Sequence, residues 1–244
     1  MQKGLITNRG ADIFVPLLDA KGPAGRSVSD VVLTGRLSLP EPDTEMLCDW
    51  SAAYDSGEPG FVENAGPRTP LGQNESLSAI EAATLQWAAG HQLTDVFSGA
   101  EVTPLVCQGA GFHTDANHFS EYLFCVVWLS NRAGLDLLFP NIDVRIPLDF
   151  GSIVFFDAAQ PHGVVIEGHN SWSPSRYAAQ ITDPTQHFVS FDVPFPFAVL
   201  GHRMDIRLFH RDTNHAWPEA LSLGARRVEV DRETGWWKFA KSRA

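Results

Sequence analysis

The sequence predicts a mainly β protein with a jelly-roll core and a few flanking helices. Between Val102 and Phe197, about eight short apolar runs follow one another, separated by Gly, Pro, Asn and Asp. No helical periodicity lies between these runs. The chain has 244 residues, of which 44% are hydrophobic, so it is long enough to bury a substantial core. Closely spaced short strands with turn signals are typical of antiparallel sandwiches and barrels.

We expect one domain, 1–244, in three parts. Residues 1–101 contain N-terminal strands, an acidic loop and a supporting helix. Residues 102–197 form the β core. Residues 198–244 form a more polar C-terminal extension, which is expected to pack outside the core as short helices or loops.

The N-terminal part combines strands with one well-marked helix. Residues 12–18 and 31–34 are apolar runs that predict strands. Residues 37–67 contain seven acidic residues and neither Lys nor Arg, which predicts a long irregular loop. This loop is either a solvated surface or a lid over an active site. A helix is predicted up to Gly90, because Ser76 or Ser78 can cap it and apolar residues recur at helical spacing.

The β core begins with a strand that leads to Asn117, and a further short helical piece at 95–97 precedes it. Turns are predicted at Gly134, 140–141, 149–151 and 183–184 from their Gly, Pro, Asn and Asp residues. Aromatic and β-branched runs predict the remaining strands at 121–129, 135–139, 144–146, 152–156, 163–166, 177–181 and 188–193.

The overall charge and the cysteines limit the function classes. With 18 Lys and Arg against 29 Asp and Glu, the formal net charge is -11, which disfavours nucleic acid and anionic membranes as partners. Cys48, Cys107 and Cys125 have no CxxC spacing, so neither a disulfide framework nor a zinc-thiolate site is indicated. No secretory signal or apolar run of transmembrane length is found, and we expect a soluble, cytoplasmic protein.

The segment GFHTDAN carries the first candidate site residues, His113 and Asp115. Alternate residues of an extended chain point the same way, so both side chains can enter one cavity. An imidazole and a carboxylate are two of the three ligands in the facial triad of non-haem Fe(II) oxygenases. His162 stands where the strand after 152–156 begins, and it is the predicted third ligand. His118 is the alternative imidazole, in the same turn as His113.

The ordered combination of His113-x-Asp115, the run FPNIDVRIPLDFGSIVFFD and the distal His162 resembles the Fe(II)/2-oxoglutarate-dependent dioxygenase superfamily, over roughly residues 102–193. The resemblance implies a cupin-like double-stranded β-helix and Fe(II) held by these three residues. It also implies 2-oxoglutarate and O₂ as co-substrates, with a basic residue beyond the distal His to bind the far carboxylate. Arg176 is the basic residue in that window, and its guanidinium can pair with a carboxylate in bidentate fashion.

Two features depart from the family pattern, and one of them is the 169–172 stretch, which lengthens the turn before Arg176. Many members carry a Ser two residues after the Arg, and here that position is Ala178. Tyr122 is therefore a candidate for the hydroxyl that would accompany Arg176 on the co-substrate.

The resemblance implies a hydroxylase that releases succinate and CO₂. A small molecule or an amino-acid-like substrate is the first expectation, because the acidic loop favours cationic groups, and a peptide or protein side chain is the second. The alternative is a cupin-type metalloenzyme that does not use 2-oxoglutarate and in which Arg176 is dispensable. A non-catalytic binding module is a third class, which the intact set of three ligand residues disfavours.

Overall fold

A computed structural model of the chain describes residues 5–6, 12–17, 23–54, 59–131, 134–182, 185–194, 201–210 and 218–241. Its helices are α1 (Thr44–Ala52), α2 (Ser78–Gly90), α3 (Ala116–Phe119) and α4 (Pro174–Gln180). Short 3-10 helices lie at Glu75–Leu77, Thr94–Phe97 and Pro140–Ile142. The strands are β1 (Leu5–Ile6), β2 (Ile13–Pro16), β3 (Gly25–Ser27), β4 (Leu33–Arg36), β5 (Val62–Asn64), β6 (Thr69–Pro70), β7 (Glu101–Cys107), β8 (Ala110–His113), β9 (Tyr122–Trp128), β10 (Leu135–Phe139), β11 (Val144–Pro147), β12 (Ser152–Asp157), β13 (His162–Ile166), β14 (Gln186–Pro194), β15 (Leu208–Phe209), β16 (Ser222–Leu223), β17 (Arg226–Val230) and β18 (Trp237–Phe239).

The predicted jelly roll is confirmed. Its larger sheet has the order β4-β12-β9-β14-β7-β5, with β6 also paired to β7, and its smaller sheet has the order β11-β10-β13-β8. All of these pairs are antiparallel. The chain passes from one sheet to the other after β7, β8, β9, β11, β12 and β13, which is the winding of a double-stranded β-helix.

The central strands of the larger sheet, β7, β9, β12 and β14, are buried on both faces, which explains why β9 and β12 are nearly continuous apolar runs. On the outer face, Val127 lies between Ile153 and Val189 in the strand register. This face packs against α1, α2 and the 3-10 turn that follows α2, through residues such as Trp50 and Phe97. The inner face is directed toward the smaller sheet, and the two faces enclose a cavity.

The turn predicted at 149–151 is confirmed and fixes the start of β12. Gly151 has a positive φ of 80°, in the left-handed region that favours glycine. A Cβ at this position would lie 2.5 Å from the carbonyl oxygen of Leu37, so the close approach also requires glycine. The turn predicted at 183–184 lies outside the described residues.

The C-terminal extension was predicted as short helices or loops, but its described residues also form strands. They include β15 to β18, which join the N-terminal strands in a second sheet of order β1-β18-β17-β16-β2-β3-β15. Each of these strands has two to five residues, as in Arg226–Val230. Such short strands are stabilised by pairing with distant segments, and local sequence carries little signal for them.

Two other local predictions were wrong. Residues 177–180, predicted as strand, belong to α4, where the Ser173 hydroxyl accepts a hydrogen bond from the Arg176 amide and Pro174 stands in the first turn. The 37–67 segment is not wholly irregular, because α1 lies within it and is capped by the Asp43 side chain. The supporting helix is confirmed as α2, although no side-chain cap holds its first turn.

The three cysteines are free thiols, and Cys107 and Cys125 are buried. Burial raises the pKa of Cys107 to about 12, so this thiol stays protonated. None of the described helices is both long and apolar enough to span a bilayer.

A buried ion pair joins the second sheet to the jelly roll. Arg26 on β3 donates from Nη1 and Nη2 to the two carboxylate oxygens of Asp157 on β12, at 2.6 and 2.8 Å. Both side chains are fully buried. The carboxylate also accepts from the amides of Ser29 and Ala159, at 2.8 and 2.9 Å. The pair therefore fixes the segment that leads from β12 to His162.

Candidate metal centre

The structure brings His113, Asp115 and His162 together at one end of the cavity. His113 ends β8 and His162 begins β13, and the two residues are paired in the register of the smaller sheet. Asp115 stands at the start of α3, where its amide donates to the carbonyl oxygen of Ala158 at 2.9 Å. Sheet pairing thus positions the two imidazoles, and the loop after β12 positions the carboxylate.

The potential ligand atoms form a compact triangle. The Oδ2 atom of Asp115 lies 3.7 Å from Nε2 of His113 and 3.6 Å from Nε2 of His162. All three ligand atoms lie within 4.8 Å of one another. Atoms that bind one metal at about 2.1 Å, at right angles, are roughly 3.0 Å apart, so small side-chain movements would complete the site.

Backbone hydrogen bonds orient both rings for metal binding. The Nδ1 atom of His113 lies 2.8 Å from the carbonyl oxygen of Gly111, and that of His162 lies 2.8 Å from the carbonyl oxygen of Gln160. Each Nδ1 therefore carries the ring proton and donates a hydrogen bond to the carbonyl oxygen. The lone pair on each Nε2 is left free to bind a metal. Burial, assisted by the neighbouring His113, lowers the pKa of His162 to about 4, so this imidazole is neutral near pH 7.

The cavity beside this triangle has a volume of about 230 Å³. At roughly 30 Å³ per liquid water molecule, it has room for a small molecule or a single side chain. Val62 and Asn64 of β5 belong to its wall. Part of the acidic segment 37–67 therefore lines the cavity, as a strand that pairs with β7.

Strand register divides the cavity lining into successive levels. Phe124 and Asp192 are paired on β9 and β14, at the level of Phe156, whose ring lies 4.9 Å from that of His162. Two levels lie farther along the same strands, and they define what we call the inner cavity. Its lining residues on the larger sheet are Thr103, Val126 and Ser190 at the first level and Leu105, Trp128 and Phe188 at the second.

Arg68 is a cavity residue that sequence reasoning missed. Among the described residues it is the only Lys or Arg in the cavity wall. Its Nη2 lies 2.5 Å from Oδ2 of Asp192, its Nη1 donates to Glu101 at 3.2 Å, and its guanidinium lies over the ring of Phe119. Arg68 precedes β6 and belongs to no recognisable sequence motif. Only the pairing of β5 and β6 with β7 shows that its side chain reaches the cavity.

Asp192 is the second acidic residue of the cavity, and its side chain is almost fully buried. Burial raises its pKa, while the hydrogen bond from Ser190 and the charge of Arg68 act in the opposite direction. The Ser190 hydroxyl donates to Oδ1 at 2.8 Å, so this hydroxyl and Arg68 together satisfy the carboxylate.

The structure does not bring Arg176 or Tyr122 to the cavity wall. Arg176 lies on α4, and its Nη1 donates to the hydroxyl of Ser171 at 3.3 Å. Tyr122 begins β9, where its ring packs edge-on against Phe119 at 5.8 Å. The side chain of His118 lies outside the described residues.

Comparisons with known proteins find similarity in structure but not in sequence. No family model and no curated protein matches the chain. A viral collagen prolyl hydroxylase from Paramecium bursaria Chlorella virus-1 is 12% identical, with a TM-score of 0.41 over 67% of this chain and 95% of the other. A Pseudomonas putida prolyl-4-hydroxylase is 13% identical, with a TM-score of 0.39 over 67% and 92%. The non-haem α-ketoglutarate-dependent epimerase SnoN from nogalamycin biosynthesis is 13% identical, with a TM-score of 0.39 over 67% and 78%.

Proposed function

We propose that this protein is a mononuclear non-haem Fe(II) oxygenase. The observation that carries the proposal is the triangle formed by Nε2 of His113, Nε2 of His162 and a carboxylate oxygen of Asp115 at one end of a cavity. Two imidazoles and one carboxylate are the donor set of non-haem Fe(II) oxygenases. The free Nε2 lone pairs of both rings are suited to bind such an ion.

The residues of the chain define how the site would work. His113, Asp115 and His162 would hold the metal, whose chemistry when bound is the activation of O₂ for oxidation of an organic molecule. The apolar wall, with Phe124, Phe156 and neighbouring residues, would hold an organic molecule beside the metal ligands. The backbone carbonyls that fix both Nδ1 atoms keep the imidazoles in the tautomer that binds metal.

2-Oxoglutarate, which the sequence resemblance implies as co-substrate, does not fit this cavity well. Arg176 bonds to Ser171 outside the cavity wall, and Arg68 is already paired with Asp192. The far carboxylate of 2-oxoglutarate would thus have no free cation among the described lining residues. This observation favours, as a second candidate, the cupin-type metalloenzyme that does not use 2-oxoglutarate.

The size of the cavity supports a small organic substrate, or a single side chain of a larger one, rather than a folded polypeptide surface. The charge of the chain disfavours nucleic acid.

The proposal predicts iron-specific oxygen consumption. Metal-free protein would be loaded anaerobically with Fe(II) or Zn(II), mixed with small 2-oxo acids and then exposed to O₂ at an oxygen electrode. We expect uptake only with Fe(II), because Zn(II) has no redox chemistry and occupies the same ligands. Equal uptake with both metals would contradict an oxygenase, whereas stoichiometric Fe(II) without uptake would contradict the use of a small 2-oxo acid and favour the second candidate.

A further inference from the structure

Two buried polar atoms of the inner cavity have no hydrogen-bond partner among the described residues: Nε1 of Trp128 and Oγ1 of Thr103. The two residues are only 3% and 4% exposed, and both line the cavity. Buried donors in folded proteins are nearly always paired, by protein, water or ligand. Both atoms have almost no accessible surface in the empty cavity, so a ligand in the inner cavity supplies a hydrogen-bond acceptor to either one only as its side chain turns toward the ligand.

The surroundings of these two donors are otherwise apolar. Phe188 stacks on Trp128, with ring centroids 5.0 Å apart and an interplanar angle of 13°. Leu105 pairs with Phe188 in the register, and Leu148 lines the same cavity. Phe188 stands four residues from Asp192 on β14, which places the stack about 13 Å along the strand from the charged pair. The inner cavity thus presents neutral donors on an aromatic surface.

The charges at the metal end also select the ligand. Fe(II) with the Asp115 carboxylate would leave one net positive charge, and Arg68 with Asp192 leaves none. One carboxylate bound at the metal makes the cavity neutral. A second carboxylate, at the far end of the same ligand, would be buried without a counter-charge, which strongly opposes binding.

We infer that the inner cavity binds an uncharged, hydrogen-bond-accepting group at the far end of a 2-oxo acid whose other end chelates the iron. The co-substrate is then a 2-oxo acid with a neutral side chain rather than 2-oxoglutarate. This inference rests on the proposed Fe(II) site, and it adds the chemical class of the molecule that binds there.

A matched pair of ligands tests the inference directly. The anaerobic Fe(II) protein would be titrated with 2-oxoglutarate and with its 5-methyl ester, which keeps the 2-oxo acid and replaces the far carboxylate by a neutral carbonyl acceptor. The readout is the visible charge-transfer band of an iron-chelated 2-oxo acid, and iron content is measured on the same samples. We expect the ester to bind at least tenfold more tightly than 2-oxoglutarate.

Substitutions of residues that line the inner cavity test whether the far end of the ligand binds there. Thr103→Val removes a hydroxyl at constant shape, at the first level of the inner cavity, and is expected to weaken binding of the ester about three- to tenfold. Thr84→Val is the matched control, because the buried hydroxyl of Thr84 on α2 has no partner within the described parts of the chain and lies outside the cavity. Phe188→Arg supplies a cation and should shift the preference toward 2-oxoglutarate, whereas Arg176→Ala should change neither affinity by more than twofold.

The outcomes separate the two claims. Failure to retain iron would overturn the proposed function itself. If iron is retained, tighter binding of 2-oxoglutarate than of the ester, lost in Arg176→Ala, would overturn the inference and restore Arg176 as the anchor. Retained iron with no band from either ligand would also overturn it, and would leave an Fe(II) site that does not use 2-oxo acids.

Discussion

His162→Ala is expected to lower the affinity for Fe(II) by more than 100-fold and to abolish iron-dependent O₂ uptake. His162 supplies one of three ligand atoms and is the most deeply buried of the three residues. Loss of an outer hydrogen-bond partner of a metal ligand typically lowers affinity about 10–100-fold, so loss of the ligand itself should exceed this. The measurement is iron content after equilibrium dialysis against a chelator of known affinity.

His187→Ala is the matched control. His187 is a buried histidine on β14 whose Nε2 lies 2.8 Å from the hydroxyl of Ser51, away from the three ligand residues. We expect its substitution to change iron affinity less than twofold. Equal losses in the two variants would show that the effect reflects general destabilisation and not a ligand role for His162.

Arg26→Ala is expected to lower the free energy of unfolding by about 3–5 kcal/mol, because it leaves the Asp157 carboxylate charged and buried without its cation. The backbone amides of Ser29 and Ala159 still bond to that carboxylate, but they cannot neutralise it. The measurement is urea unfolding, from the midpoint and the slope.

Arg36→Ala is the control for this second substitution. Arg36 stands on β4, which pairs with β12, and like Arg26 it bonds to an aspartate, Asp149 at 2.9 Å, but its side chain is 61% exposed. Exposed pairs contribute about 0–1 kcal/mol, so the loss should be small. Similar losses for the two arginines would contradict a special role for the buried pair.

Sequence reasoning located the candidate metal centre because its signal is local. His113 and Asp115 are two residues apart, and His162 follows a strand with a clear turn before it. Strand pairing then brings His162 next to the other two ligand residues, since His113 and His162 are direct partners in the smaller sheet. The jelly roll was predictable for the same reason, because Gly151 and similar residues separate its strands.

Most features that sequence reasoning missed depend on contacts between segments that are distant in sequence. Arg26 and Asp157 are 131 positions apart, and nothing near either residue indicates the pair. Arg68 reaches the cavity only through strand pairing with β7. The misassigned helix α4 is different, because Ser173 and Pro174 are a local N-terminal signal that outweighs the β-like composition after them.

The most direct test of the metal centre is the addition of nitric oxide, a surrogate for O₂, to the anaerobic Fe(II) protein, followed by electron paramagnetic resonance. A facial site with open positions should give the signal of a high-spin ferrous nitrosyl at one per chain, and His162→Ala should remove it. Stoichiometric iron without this signal, or a signal that His162→Ala leaves unchanged, would contradict an open iron site at His113, Asp115 and His162.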